Sequence, residues 1–176
     1  LESARAAGEN SSPDSIAAVA DTVGSTRAVG ILARLDAADL YLSAVRRGVK
    51  AGAKVDGEGK LESADDILTP EVRTEYLNKA AALYQRVFDE TQNNPTQKLA
   101  AVGSIFGLAA VAESNRDFDK AKTFYAQIEQ MVAGTPFVVQ GAVAKERAAT
   151  LDGIKGLPAL MPKADLPQIA APEPAP

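Results

Sequence analysis

Proline placement sets the strongest limit on how this chain folds. The proline ring removes a backbone N–H and clashes with the preceding turn, so a helix interior excludes it. The ten prolines of the 176-residue chain fall into two sets. Four follow a residue whose side chain caps helices: Ser12-Pro13, Thr69-Pro70, Asn94-Pro95 and Thr135-Pro136. A capping oxygen followed by proline predicts a helix start, because the N–H lost at the first helical position has no intrahelical partner. The other six, from Pro158 to Pro176, crowd the C-terminal end and predict a polyproline-like or disordered tail over residues 154–176. Two further starts lack proline: Ser25 after Gly24, and Asp117 after a turn at Asn115 and Arg116. The small polar residues 1–11 read as a disordered leader.

Between these starts the apolar spacing is helical. Ala28, Ile31, Leu32, Leu35, Ala38, Leu42, Val45 and Val49 recur every three or four residues, as do Val72, Tyr76, Ala80, Leu83, Tyr84, Val87 and Phe88. Leu99, Val102, Phe106, Ala109 and Ala112 follow the same rule, then Phe118, Ala121, Tyr125, Ile128 and Val132, with Gly134 placed as a C-cap. No stretch alternates long enough to form a sheet. With aromatics at only 5% and abundant alanine, the composition suits closely packed helices better than a sandwich. The expected fold is all-α: about six helices over residues 12–153, interrupted by a glycine-rich insertion at residues 48–69 with a short helical turn near 64–68.

Composition also narrows the chemistry. The chain has no Cys and no His, which excludes disulfides, Cys/His metal sites, Cys nucleophiles and any triad with a His base. A formal charge of -4 argues against nucleic acid as a partner. Carboxylate pairs remain: Asp36 with Asp39, Asp65 with Asp66, and Asp117 with Asp119. Each lies at a solvent-facing position or at a helix start, where acids favour the dipole, so a structural role is expected for all three. The VDGEGKLESADD run lacks the alternating oxygen spacing of an EF-hand, and no metal or cofactor is expected. The glycines of GVKAGAKVDGEGK lack a P-loop's GxxxxGK[ST] pattern and preceding strand. Arg46, Arg47, Lys50 and Lys54 complement a helix C-terminus, with an acidic partner or anionic headgroups as the functional reading.

Leu108, Ala109, Ala112, Ala121 and Tyr125, with the run ESNRDFDKAKTFYAQI, resemble the tetratricopeptide repeat (TPR), a helix hairpin with small residues where its helices cross. Arg116 stands where that family usually has Gly, and Ala112 where it prefers Tyr. Ala80, Tyr84 and Val87, followed by Asn93-Asn94-Pro95, resemble the second helix and exit turn of a preceding repeat. Residues 25–153 together resemble the YfgM-like TPR proteins of the bacterial envelope.

That resemblance implies a right-handed solenoid of antiparallel helix hairpins closed by a last helix. It also implies a non-catalytic protein-binding role near translocon or chaperone components, on the periplasmic face of the inner membrane. The membrane would be reached only through an anchor upstream of Leu1. A cytoplasmic TPR adaptor is the alternative, and a carboxylate-based helical-bundle enzyme is the rival from another class. The family's groove positions carry over to Gly103, Phe106, Ala110, Glu113 and Ser114. In the upstream repeat they carry over to Leu35, Ala38, Leu42, Val45 and Arg46, a set apolar enough to be covered by residues 14–23 or by a second copy of the chain. The binding groove is therefore expected at Arg46, Phe106, Ala110, Glu113 and Ser114, with proteins or peptide segments as partners.

Overall fold

The structure, a computed structural model, describes residues 12–23, 28–54 and 61–157. Among these are six α-helices: α1 (Pro13–Val23), α2 (Ala28–Arg47), α3 (Pro70–Thr91), α4 (Lys98–Ser114), α5 (Phe118–Val132) and α6 (Val138–Lys155). No strand occurs among the described residues; an isolated antiparallel bridge joins Val49 to Ile67. Each helix packs chiefly on its neighbours in sequence, and α2 also touches α4. The result is an all-α stack of the solenoid kind. The leader, the Ser25 cap, residues 55–60 and the tail from Pro158 onward lie outside the described residues.

The capping residues act in two ways. Thr69 accepts from the Val72 N–H and opens α3 directly, and the Ser12 hydroxyl accepts from the Ser15 N–H at the start of α1. Asn94-Pro95 instead opens a 3₁₀ turn, Pro95–Gln97, that runs into α4. Thr135 accepts from the Phe137 N–H and α6 begins at Val138, so Pro136 lies in the turn that precedes the helix. Asp117 caps α5 through the Lys120 N–H at 3.1 Å.

Arg116 takes the left-handed conformation, φ 60, a region that favours glycine. A side chain there costs on the order of 1 kcal/mol. Its guanidinium donates to the carbonyls of Lys155 and Leu157, at 3.3 and 2.9 Å, which ties the end of α6 to the α4–α5 turn.

Two apolar clusters share α4. One gathers Ala38, Tyr41, Leu42, Val45, Leu77, Ala80 and Tyr84 with Leu108 and Val111. The other joins Val102, Ile105, Ala109 and Ala112 to Ala121, Tyr125, Ile128, Val132, Ala144 and Leu151. Helix α4 is therefore buried on two sides, which explains its Ala- and Gly-rich sequence. Gly107 is the tightest point: a Cβ there would overlap the Tyr84 ring. The base of the 48–69 insertion is pinned as well. Lys50 N–H donates to Asp66 at 2.8 Å, Leu68 N–H donates to Gly48 at 3.0 Å, and the turn Ala64–Asp66 is capped by Ser63.

Candidate functional site

Helices α2 and α4 leave an open cleft of about 800 Å³ between them. On α2 its wall is Asp36, Asp39, Leu40, Ser43 and Arg46, and on α4 it is Gly103, Phe106, Ala110, Glu113 and Ser114. Both sets repeat every three or four residues, so each is one helical face. Ile16 of α1, Tyr84 of α3 and Arg147 of α6 close the margins. All five residues expected to form the groove, Arg46, Phe106, Ala110, Glu113 and Ser114, line this one cleft.

The upstream set divides differently. Leu42 and Arg46 reach the cleft, whereas Ala38 and Val45 are buried against α3 and Leu35 packs on the same cluster. The face of α2 that looks into the cleft is thus turned toward Asp36, Asp39 and Ser43. Helix α1 packs on α2, but through Asp14 with Tyr41 and through Asp21 and the Ala20 carbonyl with Arg34. The apolar set expected beneath residues 14–23 is covered by α3 and α4 instead.

Hydrogen bonding decides which of these groups are available. Tyr84 donates its hydroxyl to Asp39, and Tyr125 donates to Glu113. In both hairpins a tyrosine on the second helix bonds a carboxylate on the first. Burial, followed by the Glu113 hydrogen bond, pushes the Tyr125 phenol up to about 12. The Tyr84 phenol is raised for the same two reasons, burial first and Asp39 second. Both phenols therefore remain protonated donors, and both acids have a fixed internal partner. The Ser114 hydroxyl donates to the Ala110 carbonyl at 2.8 Å, so it too is used within its own helix. Arg73 of α3 donates to the Ser114 carbonyl and holds the end of α4 in place.

Asp39 and Glu113 keep their charge and further lone pairs, and with the Arg46 and Arg147 guanidiniums, the Asp36 carboxylate and an apolar floor they make up what the cleft offers a ligand. Phe106 is half-buried, tilted against Tyr125 with ring centroids 6.1 Å apart, and Arg147 lies over it at 5.9 Å. Phe106 thus belongs both to the core and to the cleft. No group of His, Cys, Asp or Glu suited to a metal ion occurs among the described residues.

A second polar centre, at the other end of α2, gave no signal in the apolar spacing. Arg34 is 0% exposed and pairs with Glu90 of α3 at 3.0 Å and with Asp21 of α1 at 3.2 Å. Arg86 bridges the same two acids at 2.7 and 3.1 Å. Its neighbour Leu32, expected on the buried face, is 44% exposed. The face of α2 that α1 and α3 enclose holds a guanidinium because three acceptors converge there, the third being the Ala20 carbonyl. This centre joins three helices, and none of Arg34, Asp21, Arg86 and Glu90 lines the cleft.

The fold and the cleft together define an all-α helical stack with a mixed-charge groove between α2 and α4. Comparison with protein-family models, curated proteins and solved structures finds no match to this chain.

Proposed function

We propose that the chain is a non-catalytic interaction module that binds a protein segment in the cleft between α2 and α4. One observation carries the reading. The five residues taken from the repeat spacing, Arg46, Phe106, Ala110, Glu113 and Ser114, converge on a single open cavity of a size suited to a peptide or one face of a helix. The repeat itself we assign to the TPR. That assignment is supported by left-handed Arg116 at the family's glycine position and by fully buried Ala121 at the helix crossing. The bacterial envelope as its address rests on the resemblance of residues 25–153. No helix among the described residues is long and apolar enough to cross a membrane.

Gly103 supplies the test. A Cβ built there meets nothing within 4 Å, so Gly103→Leu fills the cleft without entering the core. Peptides selected from a random display library on the wild-type chain should lose binding to Gly103→Leu and weaken on Arg46→Ala. They should bind normally to a variant with Asp65→Asn and Asp66→Asn in the insertion, and circular dichroism should be the same for all. Selected peptides that still bind the filled cleft but fail on the Asp65/Asp66 variant would move the binding surface to the insertion.

A further inference from the structure

The cleft is polarised along its length. Asp36 lies ten residues before Arg46 on α2, which at 1.5 Å per residue sets them about 15 Å apart along the axis. Gly103 stands on α4 at the Asp36 end, and Glu113 and Ser114 at the Arg46 end, because both helices present the same face in the same order. Of the two other cleft acids, Asp39 lies one turn from Asp36 and adds to the acidic end. Glu113 keeps its charge and offsets one of the two guanidiniums, Arg46 and Arg147, so the far end stays net basic. Asp39 and Glu113 each accept a tyrosine hydroxyl, whereas Asp36, Arg46 and Arg147 form no ion pair among the described residues. Leu40, Phe106 and Ala110 lie between the ends, and Gly103 leaves space over the floor.

We propose that the cleft selects a dipolar peptide segment, with a cationic side chain against Asp36, a carboxylate at the Arg46–Arg147 end and apolar side chains between them. This rests on the reading of the cleft as the binding site and names the chemistry of its occupant. The spacing corresponds to about ten residues of helix, or between four and five residues of extended chain. Two ends about 15 Å apart exceed the screening length near physiological salt, so each recognises its charge independently. A uniformly acidic or uniformly basic segment therefore gains at one end and is repelled at the other.

The experiment uses synthetic helical peptides with a leucine face and fluorescein, differing only at two end positions. The set comprises Lys/Glu, Glu/Lys, Glu/Glu, Lys/Lys and Gln/Gln. In anisotropy titrations one of the two dipolar peptides should bind at least about tenfold more tightly than Gln/Gln. Asp36→Lys should move the preference to Glu/Glu, and Arg46→Glu should move it toward Lys/Lys.

Equal binding of all five peptides, abolished by Gly103→Leu, would overturn the charge selection while leaving the cleft as the binding site. Failure of every peptide, together with display-selected binders indifferent to Gly103→Leu, would overturn both readings. Removal of residues 158–176 that strengthens all five peptides equally would make the chain's own tail the occupant and overturn an external partner.

Discussion

Gly103 and Gly107 are one turn apart on α4 yet answer to different constraints. At Gly107 the Tyr84 ring occupies the space a Cβ needs, and at Gly103 nothing lies within 4 Å. Alanine favours a helix interior over glycine by about 1 kcal/mol, so the two substitutions should shift stability in opposite directions. Gly103→Ala should raise the urea midpoint by the equivalent of about 0.5–1 kcal/mol. Gly107→Ala must displace Tyr84 and should lower it by about 1–3 kcal/mol. Midpoints that move the same way would place the close approach of α3 and α4 elsewhere. Only the Gly107 ring contact, a long-range one, separates two glycines that look alike in the sequence.

At the scale of elements, α1 is held to the stack by side chains as much as by its apolar face. Tyr41 donates to Asp14 at 2.5 Å, and Lys79 pairs with the same carboxylate at 3.1 Å. The Tyr41 hydrogen bond first, and the Lys79 ammonium after it, hold the Asp14 carboxyl below the usual carboxylate range. A depressed folded value means that the contribution is present above the unfolded pKa, near 4, and is lost as pH falls through the lower folded value. Acidification below the usual carboxylate range should therefore loosen α1 before the rest, read as early loss of amide-exchange protection over residues 16–22. Asp14→Asn should lower that protection near neutral pH and remove its acid dependence. An unchanged acid profile in the variant would show that the Asp14 carboxyl is not its source.

For the whole molecule, the shared helix α4 decides cooperativity. Both apolar clusters use it, one through Leu108 and Val111 and the other through Val102, Ile105, Ala109 and Ala112. Tyr41 and Tyr84 report on the first cluster and Tyr125 on the second. Ala121, fully buried in the second cluster, tolerates no larger side chain, and Ala121→Leu should cost about 1–3 kcal/mol. Tyrosine fluorescence, weighted to the first cluster, should fall at the same reduced denaturant midpoint as the helical circular dichroism. Two separated transitions would mean that the clusters unfold as independent repeats.

The sequence by itself determined the all-α class, the helix boundaries near Pro13, Pro70 and Asp117, and the buried place of Ala121. These follow from local forces: caps, proline sterics and the three-to-four spacing of apolar residues act within one or two turns. The α4 wall of the cleft, with Phe106, Ala110, Glu113 and Ser114, follows from the resemblance to a repeat and not from the spacing itself. The two proline-marked starts that became turns, at Asn94 and Thr135, stay within local chemistry but depend on how the next helix docks. Tertiary structure alone decided which face of α2 looks into the cleft, that Arg34 is buried while Leu32 is exposed, and that Asp39 and Glu113 are occupied by tyrosines while Asp36 is not. Each of these depends on groups tens of residues away in the chain converging on one point. Spacing along a single helix carries no information about which acceptors a neighbouring helix will bring.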